Sequence, residues 1–478
     1  MAMDAPSSTL DETLIRQFSE IVGEKYALTG NDDIAPYVVE RRGLFGGRTP
    51  LVLRPGNTEE VSRIMTLAYE TRTPVVPQGG NTGLVGGQMP DTTGREVVVS
   101  LSRMNRIREI DTTSDTITAE AGVVLQALQE AADDNDRLFP LSLGSQGSCQ
   151  IGGNLSSNAG GTGVLAYGNA RELCLGLEVV LPDGRVFDDL RKLKKDNTGY
   201  DLKDLFVGAE GTLGIITAAV LKLFPKPKGR EVAWAGLNSP DDALMLFRLA
   251  QDRAGSAVTT FEMSLDRPLE FLFRHFPATQ PPLAERYPCY VMLEISSVRS
   301  AEDARSLIED ILSAALEDGM VLDAAIAANG QQFNDFWAMR ENMSEAQKPE
   351  GFSIKHDISV PVAAIPRFVT EGAKLVEQVA PGSRVVCFGH MGDGNLHYNV
   401  SEPVGGDTAA FQALYGKMNQ AIHGLVHSLG GSFSAEHGIG RLKRDELIAS
   451  APPVATELMR AVKQAIDPAG IMNPNKVI

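Results

Sequence analysis

Two short segments near the end of the chain hold the side chains best suited to chemistry. The first places His390 and His397 on either side of the bend 392–394, and the second holds Glu436 and His437 in adjacent positions. Two imidazoles that flank a turn can converge on one ion, and a carboxylate can serve as third ligand. Such a set suits Zn²⁺ or a similar divalent ion with positions open to substrate. We therefore predict a metal site at His390, His397 and Glu436, with His437 as a general base.

The polar residues around these segments are given separate roles. Asp393 is a competing carboxylate, but between two glycines it is predicted to form the turn. Asn399 follows His397 by two positions, so both share one face of a strand, and Asn399 is predicted to bond a ligand's carboxylate or hydroxyl. His423 and His427 lie four apart on a predicted helix, away from its apolar stripe, and are predicted to be solvated.

Glycine clusters in the first half of the chain predict a site for a phosphorylated cofactor. Of 47 glycines, many fall within 78–87, 144–163 and 208–214. Backbone N–H groups without neighbouring Cβ atoms can surround a pyrophosphate, although for any single glycine pair a tight turn is the alternative. The chain has no GxGxxG between a strand and a helix with an acid twenty positions later, and no GxxxxGK[ST] loop. A Rossmann site and an ATP site are therefore not predicted.

The elements around the first cluster predict a small α/β unit. A short strand at 50–55 precedes Asn57, which is predicted to cap a helix with Glu60 as its capping-box partner. Apolar residues at 61, 64, 65 and 68 form one helical face, and a buried strand at 73–77 opens into the glycine loop. Further elements are predicted as strands 97–101 and 116–121, helix 124–133, a loop-rich region at 144–168 and hairpin 178–187.

Composition limits the classes of function. The net charge of −17 and pI near 5.0 disfavour nucleic-acid binding. The four cysteines have no CxxC spacing, and residues 1–20 lack the features of a signal or transit peptide, so a cytoplasmic location is predicted. No stretch approaches eighteen consecutive apolar residues, and no transmembrane helix is predicted.

A second group of residues could select the substrate. Arg340 and Ser344 lie one turn apart on a predicted helix, and Lys355 lies on the polar face of the alternating strand 352–360. Two cations and a hydroxyl that converge would bind a carboxylate. The alternative is that both cations pair with acidic neighbours on a solvated surface.

These segments together resemble a known flavoprotein family. The stretches 76–83, 144–161 and 208–214 resemble the PCMH-type FAD-binding domain of the vanillyl-alcohol oxidase superfamily. The segments with His390, His397 and Glu436, and the tail at Asn473, resemble its FAD-linked D-2-hydroxyacid dehydrogenase branch. Within that branch the resemblance is strongest to the D-2-hydroxyglutarate dehydrogenases.

The resemblance implies an α+β fold. It consists of a two-subdomain PCMH-type FAD-binding domain and an α+β substrate (cap) domain with an antiparallel sheet. The predicted division is an N-terminal helical segment at 1–45, the FAD-binding domain at 46–227 and the substrate domain with its metal-ligand strand at 228–432. A C-terminal helical segment, 433–478, is predicted to pack back on the FAD domain and complete the active site.

The resemblance also implies noncovalent FAD, because Asn81 stands where some relatives carry a flavin-linking histidine. Cys149 lies where a few relatives attach flavin through sulfur, but it is predicted to be a buried free thiol. The predicted FAD-binding residues are Pro77, Gly79, Gly80, Asn81, Thr82, Gly83, Leu84, Gly144, Ser145, Gly147, Ser148, Gly152, Gly153, Asn154, Ser157, Asn158, Gly160, Gly161, Glu210, Gly211, Gly214, Ile215, Ile216 and Asn473.

The resemblance implies that Arg340 and Lys355 bind a second carboxylate of the substrate. The predicted substrate is therefore a dicarboxylate, D-2-hydroxyglutarate first and D-malate second. His437 is predicted to take the hydroxyl proton while hydride passes from Cα to flavin N5, which gives the 2-oxo acid. The alternatives are a D-lactate or glycolate dehydrogenase of the same family and, from another class, a zinc hydrolase. The family implies electron-transfer flavoprotein or quinone as acceptor and allows a homodimer. The predicted substrate-binding residues are Arg340, Ser344, Lys355, Asn399, His390, His397, Glu436 and His437.

Overall fold

The computed structural model describes residues 10–478, so the first nine residues of the predicted N-terminal helical segment lie outside it. Short 3-10 turns occur at Glu24–Tyr26, Ala35–Tyr37, Gly255–Ala257, Glu345–Glu350, Val362–Ala364 and Met391–Asp393. The strands are β1 Ala27–Leu28, β2 Val52–Leu53, β3 Val75–Gln78, β4 Val97–Ser100, β5 Ile107–Asp111, β6 Thr116–Glu120, β7 Arg137–Leu138, β8 Cys174–Val180, β9 Val186–Asp189, β10 Ile215–Lys222, β11 Phe224–Pro225, β12 Gly229–Leu237, β13 Val258–Leu265, β14 Cys289–Ser297, β15 Asp323–Ile326, β16 Ser353–Ile354, β17 Asp357–Ser359, β18 Arg384–Gly389 and β19 Asn395–Ser401. The helices are α1 Glu12–Val22, α2 Asn31–Ile34, α3 Thr58–Thr71, α4 Leu125–Asp133, α5 Ile151–Ser156, α6 Val164–Tyr167, α7 Ala170–Leu173, α8 Lys203–Phe206, α9 Pro240–Ala254, α10 Asp266–His275, α11 Ala301–Glu317, α12 Gly330–Asn342, α13 Ile365–Val379, α14 Thr408–Gln412, α15 Tyr415–Ser428, α16 Arg444–Ser450 and α17 Pro453–Ile466.

The chain divides into two compact units. The first unit runs up to Gly160 and also contains Gly168–Pro225 and Glu436–Ile478, while the second contains Gly161–Tyr167 and Lys226–Ala435. Residues Gly161–Tyr167, which lie inside the predicted FAD-binding domain at 46–227, therefore belong to the second unit. Within residues 10–478, no helix combines the length and the apolar character needed to cross a membrane.

The first sheet of the first unit carries the predicted strand–helix–strand order. It has the strand order β1-β2-β4-β3, with β2 and β3 parallel to β4. Asn57 caps α3, since its Oδ1 accepts from the Glu60 N–H at 2.9 Å. The Glu60 carboxylate bonds the Gly56 N–H at 2.8 Å, so the reciprocal bond of the capping box falls one residue earlier than predicted. The four apolar residues of the predicted helical face are all buried, which confirms that prediction.

The second sheet of the first unit is antiparallel, in the order β5-β6-β10-β8-β9. The predicted hairpin is confirmed as β8 and β9. Its turn requires Gly184, whose φ is +87°, because a Cβ there would lie 2.0 Å from Thr66 Oγ1. The hairpin is therefore fixed against α3, the helix that carries Thr66.

The predicted loop-rich region at 144–168 is mostly irregular, but it also contains helical turns. The helices α5 and α6 lie within this stretch. In α5, Ile151 and Leu155 are buried and anchor one face of the helix. A Cβ at Gly152 would lie 2.6 Å from Ala121 Cβ, so the glycine allows close packing of α5 beside β6. Tertiary packing therefore outweighs the low helix propensity of glycine.

The second unit is built on one antiparallel sheet of eight strands. Its order is β15-β12-β14-β13-β18-β19-β16, and β17 also pairs with β19. Alternate residues of β12 belong to two apolar clusters, one with Ala233 and Ala235 and the other with Val232 and Trp234. Helices α9, α11, α13 and α15 contribute to the first cluster, and α10 and α12 to the second. Both faces of the sheet are therefore buried.

Candidate active site

The first unit contains an open cavity at its glycine-rich loops. It is lined by the loop after β3, by α5 and by the start of β10. Fifteen of the 24 predicted FAD-binding residues line it: Pro77, Gly79, Gly80, Asn81, Thr82, Gly83, Gly152, Gly153, Asn154, Ser157, Glu210, Gly211, Gly214, Ile215 and Ile216.

The other nine predicted residues lie behind this lining or away from it. The Ser148 carbonyl oxygen stands 2.0 Å from the position of a Cβ at Gly80, so it holds the backbone of the glycine loop close. Asn473 donates from Nδ2 to the carbonyls of Gly87 and Glu210 at 2.9 and 2.7 Å, and thereby ties two loops of the cavity together. The nine are Leu84, Gly144, Ser145, Gly147, Ser148, Asn158, Gly160, Gly161 and Asn473.

The lining of the cavity fits FAD. Gln150 Oε1 and Asn154 Oδ1 are buried, line the cavity and have no hydrogen-bond partner within the described chain. An unsatisfied buried acceptor costs about 1–3 kcal/mol, so ligand N–H groups are expected there. Gly153 adds open space, because a Cβ at this position would meet no atom within 4 Å. Gln150 was missed by the sequence interpretation, although it directly precedes the glycine-rich helix.

We expect Gly153→Ala to stabilise the FAD-free protein by about 0.5–1 kcal/mol, because alanine favours α5 more than glycine does. The same methyl group occupies cavity space, so FAD should bind roughly tenfold more weakly or worse. Urea unfolding and a flavin fluorescence titration measure the two effects. Gly424→Ala in α15 is the control, since this helical glycine also meets no atom within 4 Å but does not line the cavity. Wild-type FAD affinity in Gly153→Ala would place FAD elsewhere.

Two further residues bear on how a flavin would be attached. Asn81 has φ +53° and lines the cavity, and its Nδ2 donates to the carbonyls of Pro36 and Val39. Cys149 also lines the cavity and is buried and free, as predicted for a thiol. Noncovalent attachment stays a prediction.

His437 lines the same cavity. The loop that carries it is anchored by Glu210, whose carboxylate accepts from the N–H groups of Ile439 at 2.7 Å and Gly440 at 2.8 Å. Burial raises the pKa of Glu210, and the two N–H groups oppose this rise. Glu210 was predicted to bind the cofactor, but the contacts that it makes in the structure fix the position of the His437 loop.

In the second unit, His390 and His397 lie on the two sides of a tight turn between β18 and β19. Their ring centroids are 5.6 Å apart. Asp393 forms the turn, as predicted, by accepting from the Asn395 N–H at 3.1 Å. Burial raises the pKa of Asp393 to about 6. Leu396 and Tyr398 point into the core, so His397 and Asn399 share the other face of β19, as predicted.

Two of the three residues predicted as metal ligands, His390 and His397, lie together within the second unit. Two imidazoles at this separation suit a divalent ion such as Zn²⁺. Glu436, the third predicted ligand, belongs to the first unit, and its part in a metal site stays a prediction.

The residues predicted to select the substrate have different surroundings. Arg340 is buried, and its Nε lies 2.6 Å from Glu262 Oε2. The sequence analysis considered a substrate carboxylate or acidic neighbours as its partner, and did not name Glu262. Ser344 and Lys355 are exposed. Lys355 lies at a break between β16 and β17, so the predicted continuous alternation is wrong there. Asn399 donates from Nδ2 to Gln347 Oε1 at 2.9 Å.

Of the two helical histidines predicted to be solvated, one is buried, so that prediction is wrong for it. His427 is exposed, as predicted, but His423 is buried at 5% exposure. Its ring lies 5.3 Å from that of His356 and 5.6 Å from that of Phe433, centroid to centroid. These two rings come from segments outside α15, so the apolar stripe of the helix alone could not indicate them.

The fold and the cavity define a flavoprotein of the PCMH type. Residues 49–189 match the FAD binding domain model, and residues 226–477 match the model of FAD linked oxidases, C-terminal domain. The chain belongs to the FAD-linked oxidase family and is an enzyme.

Named relatives cover almost the whole chain. The mitochondrial D-2-hydroxyglutarate dehydrogenase of Rattus norvegicus is 37% identical over 99% of this chain and 86% of its own length. A putative mitochondrial D-lactate dehydrogenase of Schizosaccharomyces pombe is 34% identical over 99% and 92%. The solved structure of p-cresol methylhydroxylase with bound substrate has a TM-score of 0.75 at 16% identity, with 97% of this chain and 96% of that chain covered, and it shows the shared fold.

Proposed function

We propose that this enzyme oxidises D-2-hydroxyglutarate to the 2-oxo acid, with D-malate as a second substrate, and that it uses noncovalent FAD and a divalent ion, Zn²⁺ first. The observation that carries the proposal is the adjacency of Glu436 and His437. His437 lines the cavity that fits FAD, and His390 and His397 face each other across one turn of the second unit. The relatives named D-2-hydroxyglutarate dehydrogenase support the reaction class.

The proposed chemistry assigns one task to each group of residues. His437 takes the proton of the α-hydroxyl as general base. His390, His397 and Glu436 hold the ion, which when bound supplies a Lewis acid for the substrate's hydroxyl and carboxylate. FAD when bound supplies the acceptor for the two electrons and the hydrogen that leave Cα.

The second carboxylate of the substrate is assigned to the cationic side chains. Lys355 is exposed and Arg340 is buried with its Nε on Glu262, so its Nη groups are the donors for a ligand. Ser344 and Asn399 add a hydroxyl and an amide. These groups would form charge-assisted hydrogen bonds with a second carboxylate, which a monocarboxylate such as D-lactate lacks, and this favours a dicarboxylate.

A dye-reduction assay with D- and L-hydroxy acids tests the substrate. We expect the highest kcat/KM for D-2-hydroxyglutarate, then D-malate, and much lower values for D-lactate and the L-isomers. Lys355→Met should raise KM for D-2-hydroxyglutarate about 10–100-fold and leave that for D-lactate unchanged, because it removes one charge-assisted hydrogen bond worth about 1.5–3 kcal/mol. Lys374→Met, at an exposed position of α13, is the matched control.

The outcome that contradicts the dicarboxylate proposal is a preference for D-lactate or glycolate that Lys355→Met does not change. That result would favour the second candidate, a D-lactate or glycolate dehydrogenase, which the relative from Schizosaccharomyces pombe supports. The zinc-hydrolase alternative is not retained, because the chain belongs to a family of FAD-linked enzymes.

We also propose electron-transfer flavoprotein or a quinone as the electron acceptor, and a cytoplasmic location. The location is supported by the four cysteines, all of which are buried free thiols.

A further inference from the structure

A buried glutamate in the second unit joins the predicted metal-binding histidine to the predicted substrate arginine. Glu262 lies in the middle of β13, and its side chain is 3% exposed. A carboxylate in the centre of a sheet is costly unless it is paired and hydrogen-bonded. In the part of the chain that the structure describes, the hydrogen bonds assigned to the Glu262 carboxylate join it to two residues, His390 and Arg340.

The contact with His390 fixes which ring nitrogen carries the proton. Nδ1 of His390 lies 2.5 Å from Glu262 Oε1. An ionised carboxylate only accepts hydrogen bonds, so Nδ1 must donate, and Nε2 is the nitrogen that would ligate an ion. A carboxylate behind the metal-binding histidine is the arrangement that orients such ligands in zinc proteins. The strand register explains the contact, because β13 pairs Met263 with Gly389, directly before His390.

The contact with Arg340 uses the other carboxylate oxygen. Arg340 Nε lies 2.6 Å from Glu262 Oε2, and the guanidinium carbon lies 5.0 Å from the centre of the Phe388 ring. The bond to Nε leaves the two Nη groups as the donors with which Arg340 would meet a substrate carboxylate. One glutamate thus sets the orientation of two side chains that come from α12 and from the end of β18.

A second buried glutamate of the same sheet provides a comparison. Glu294 on β14 is also 3% exposed and binds Arg230 through two bonds, of 3.0 and 2.8 Å. It also accepts from Trp337 Nε1 at 2.9 Å, but none of the hydrogen bonds assigned to it within residues 10–478 joins it to a histidine. Glu294 therefore has the burial and the arginine partner of Glu262 without the link to a metal-binding residue.

We propose that Glu262 is a positioning residue that holds His390 with its proton on Nδ1, directs Nε2 to the metal ion, and fixes Arg340 for the substrate's second carboxylate. The role rests on the proposed function for the identity of the ion and the substrate. The orientation of the His390 ring, in contrast, follows from the contacts within the second unit alone.

The Glu262→Gln variant tests this role because it inverts the hydrogen bond to His390. A glutamine can accept from Arg340 Nε only if its amide N–H points to Nδ1, which moves the ring proton to Nε2 and removes the lone pair needed for the ion. We expect zinc affinity to fall about 10–100-fold, as for other residues that support metal-binding histidines. Competition with a chromogenic chelator on the FAD-loaded enzyme measures it. Glu294→Gln should lose stability in urea but keep wild-type zinc affinity.

Two further readouts separate positioning from a purely structural role. ¹⁵N NMR of the histidine rings in the metal-free enzyme should show the His390 proton on Nδ1 in the wild type and in Glu262→Asp, which keeps the carboxylate, and on Nε2 in Glu262→Gln. KM for D-2-hydroxyglutarate should rise more in Glu262→Gln than in Glu294→Gln. Unchanged zinc affinity in Glu262→Gln, or a wild-type proton on Nε2, would overturn the inference.

The outcomes also distinguish this inference from the proposed function. If the wild type binds no zinc, the metal part of the proposed function fails, and the NMR readout alone decides whether Glu262 orients His390. If the wild type binds zinc and Glu262→Gln binds it equally well, only the role of Glu262 fails.

Discussion

Replacement of His437 by asparagine is expected to lower kcat for D-2-hydroxyglutarate by about 10²–10⁴-fold, the usual contribution of a general base. Asparagine fills similar space and forms hydrogen bonds, but it cannot take the proton of the substrate hydroxyl. Because Glu210 bonds Ile439 and Gly440 through their backbone N–H groups, the loop should keep its position in the variant. Steady-state dye reduction and stopped-flow reduction of the bound flavin measure the loss.

His427→Asn is the matched control, since it makes the same change at an exposed histidine of α15. The zinc content of His437→Asn separates two roles, because an imidazole can act either as a general base or as a metal ligand. Normal zinc content with slow turnover identifies a base, whereas lost zinc identifies a ligand. Turnover within a few-fold of wild type, with zinc and FAD bound, would show that His437 is neither.

Removal of the metal ion is expected to lower kcat/KM by about 10²–10³-fold, because a Lewis acid supplies several kcal/mol of charge stabilisation at a developing alkoxide. Dialysis against a chelator, followed by metal analysis and dye-reduction kinetics, measures this. One equivalent of Zn²⁺ should restore activity to the chelated wild type. FAD should stay bound throughout, since the cavity that fits it is formed by residues of the first unit.

The His397→Ala variant should be inactive and should not recover with one equivalent of Zn²⁺, because it lacks one of three proposed ligands. His427→Asn should respond to chelator and Zn²⁺ as the wild type does. Full activity of the chelated wild-type enzyme, with no metal detectable by mass spectrometry, would exclude a role for the ion and would leave only the flavin part of the proposal.

Some local features could be predicted from the sequence because neighbouring residues determine them. The cap at Asn57 and the buried face of α3 follow from spacing within one helix. The turn at Asp393 follows from a short polar side chain between two glycines. Helix α5 could not be predicted in this way, because the glycines that lower its local propensity are the residues that let it pack beside β6.

The candidate metal-binding, basic and cationic side chains and the glycine clusters could be recognised in the sequence. This is possible because side-chain chemistry and backbone freedom are properties of a residue's type. The tertiary structure decided which of these residues meet. Glu262 lies 78 positions from Arg340 and 128 from His390, and only the pairing of β13 with β18 and the packing of α12 bring the three together. The same holds for the FAD cavity, where 15 of the 24 predicted residues line the space and Gln150 joins them. A residue's type sets what it can do, but its partners depend on contacts between distant parts of the chain, which local spacing does not encode.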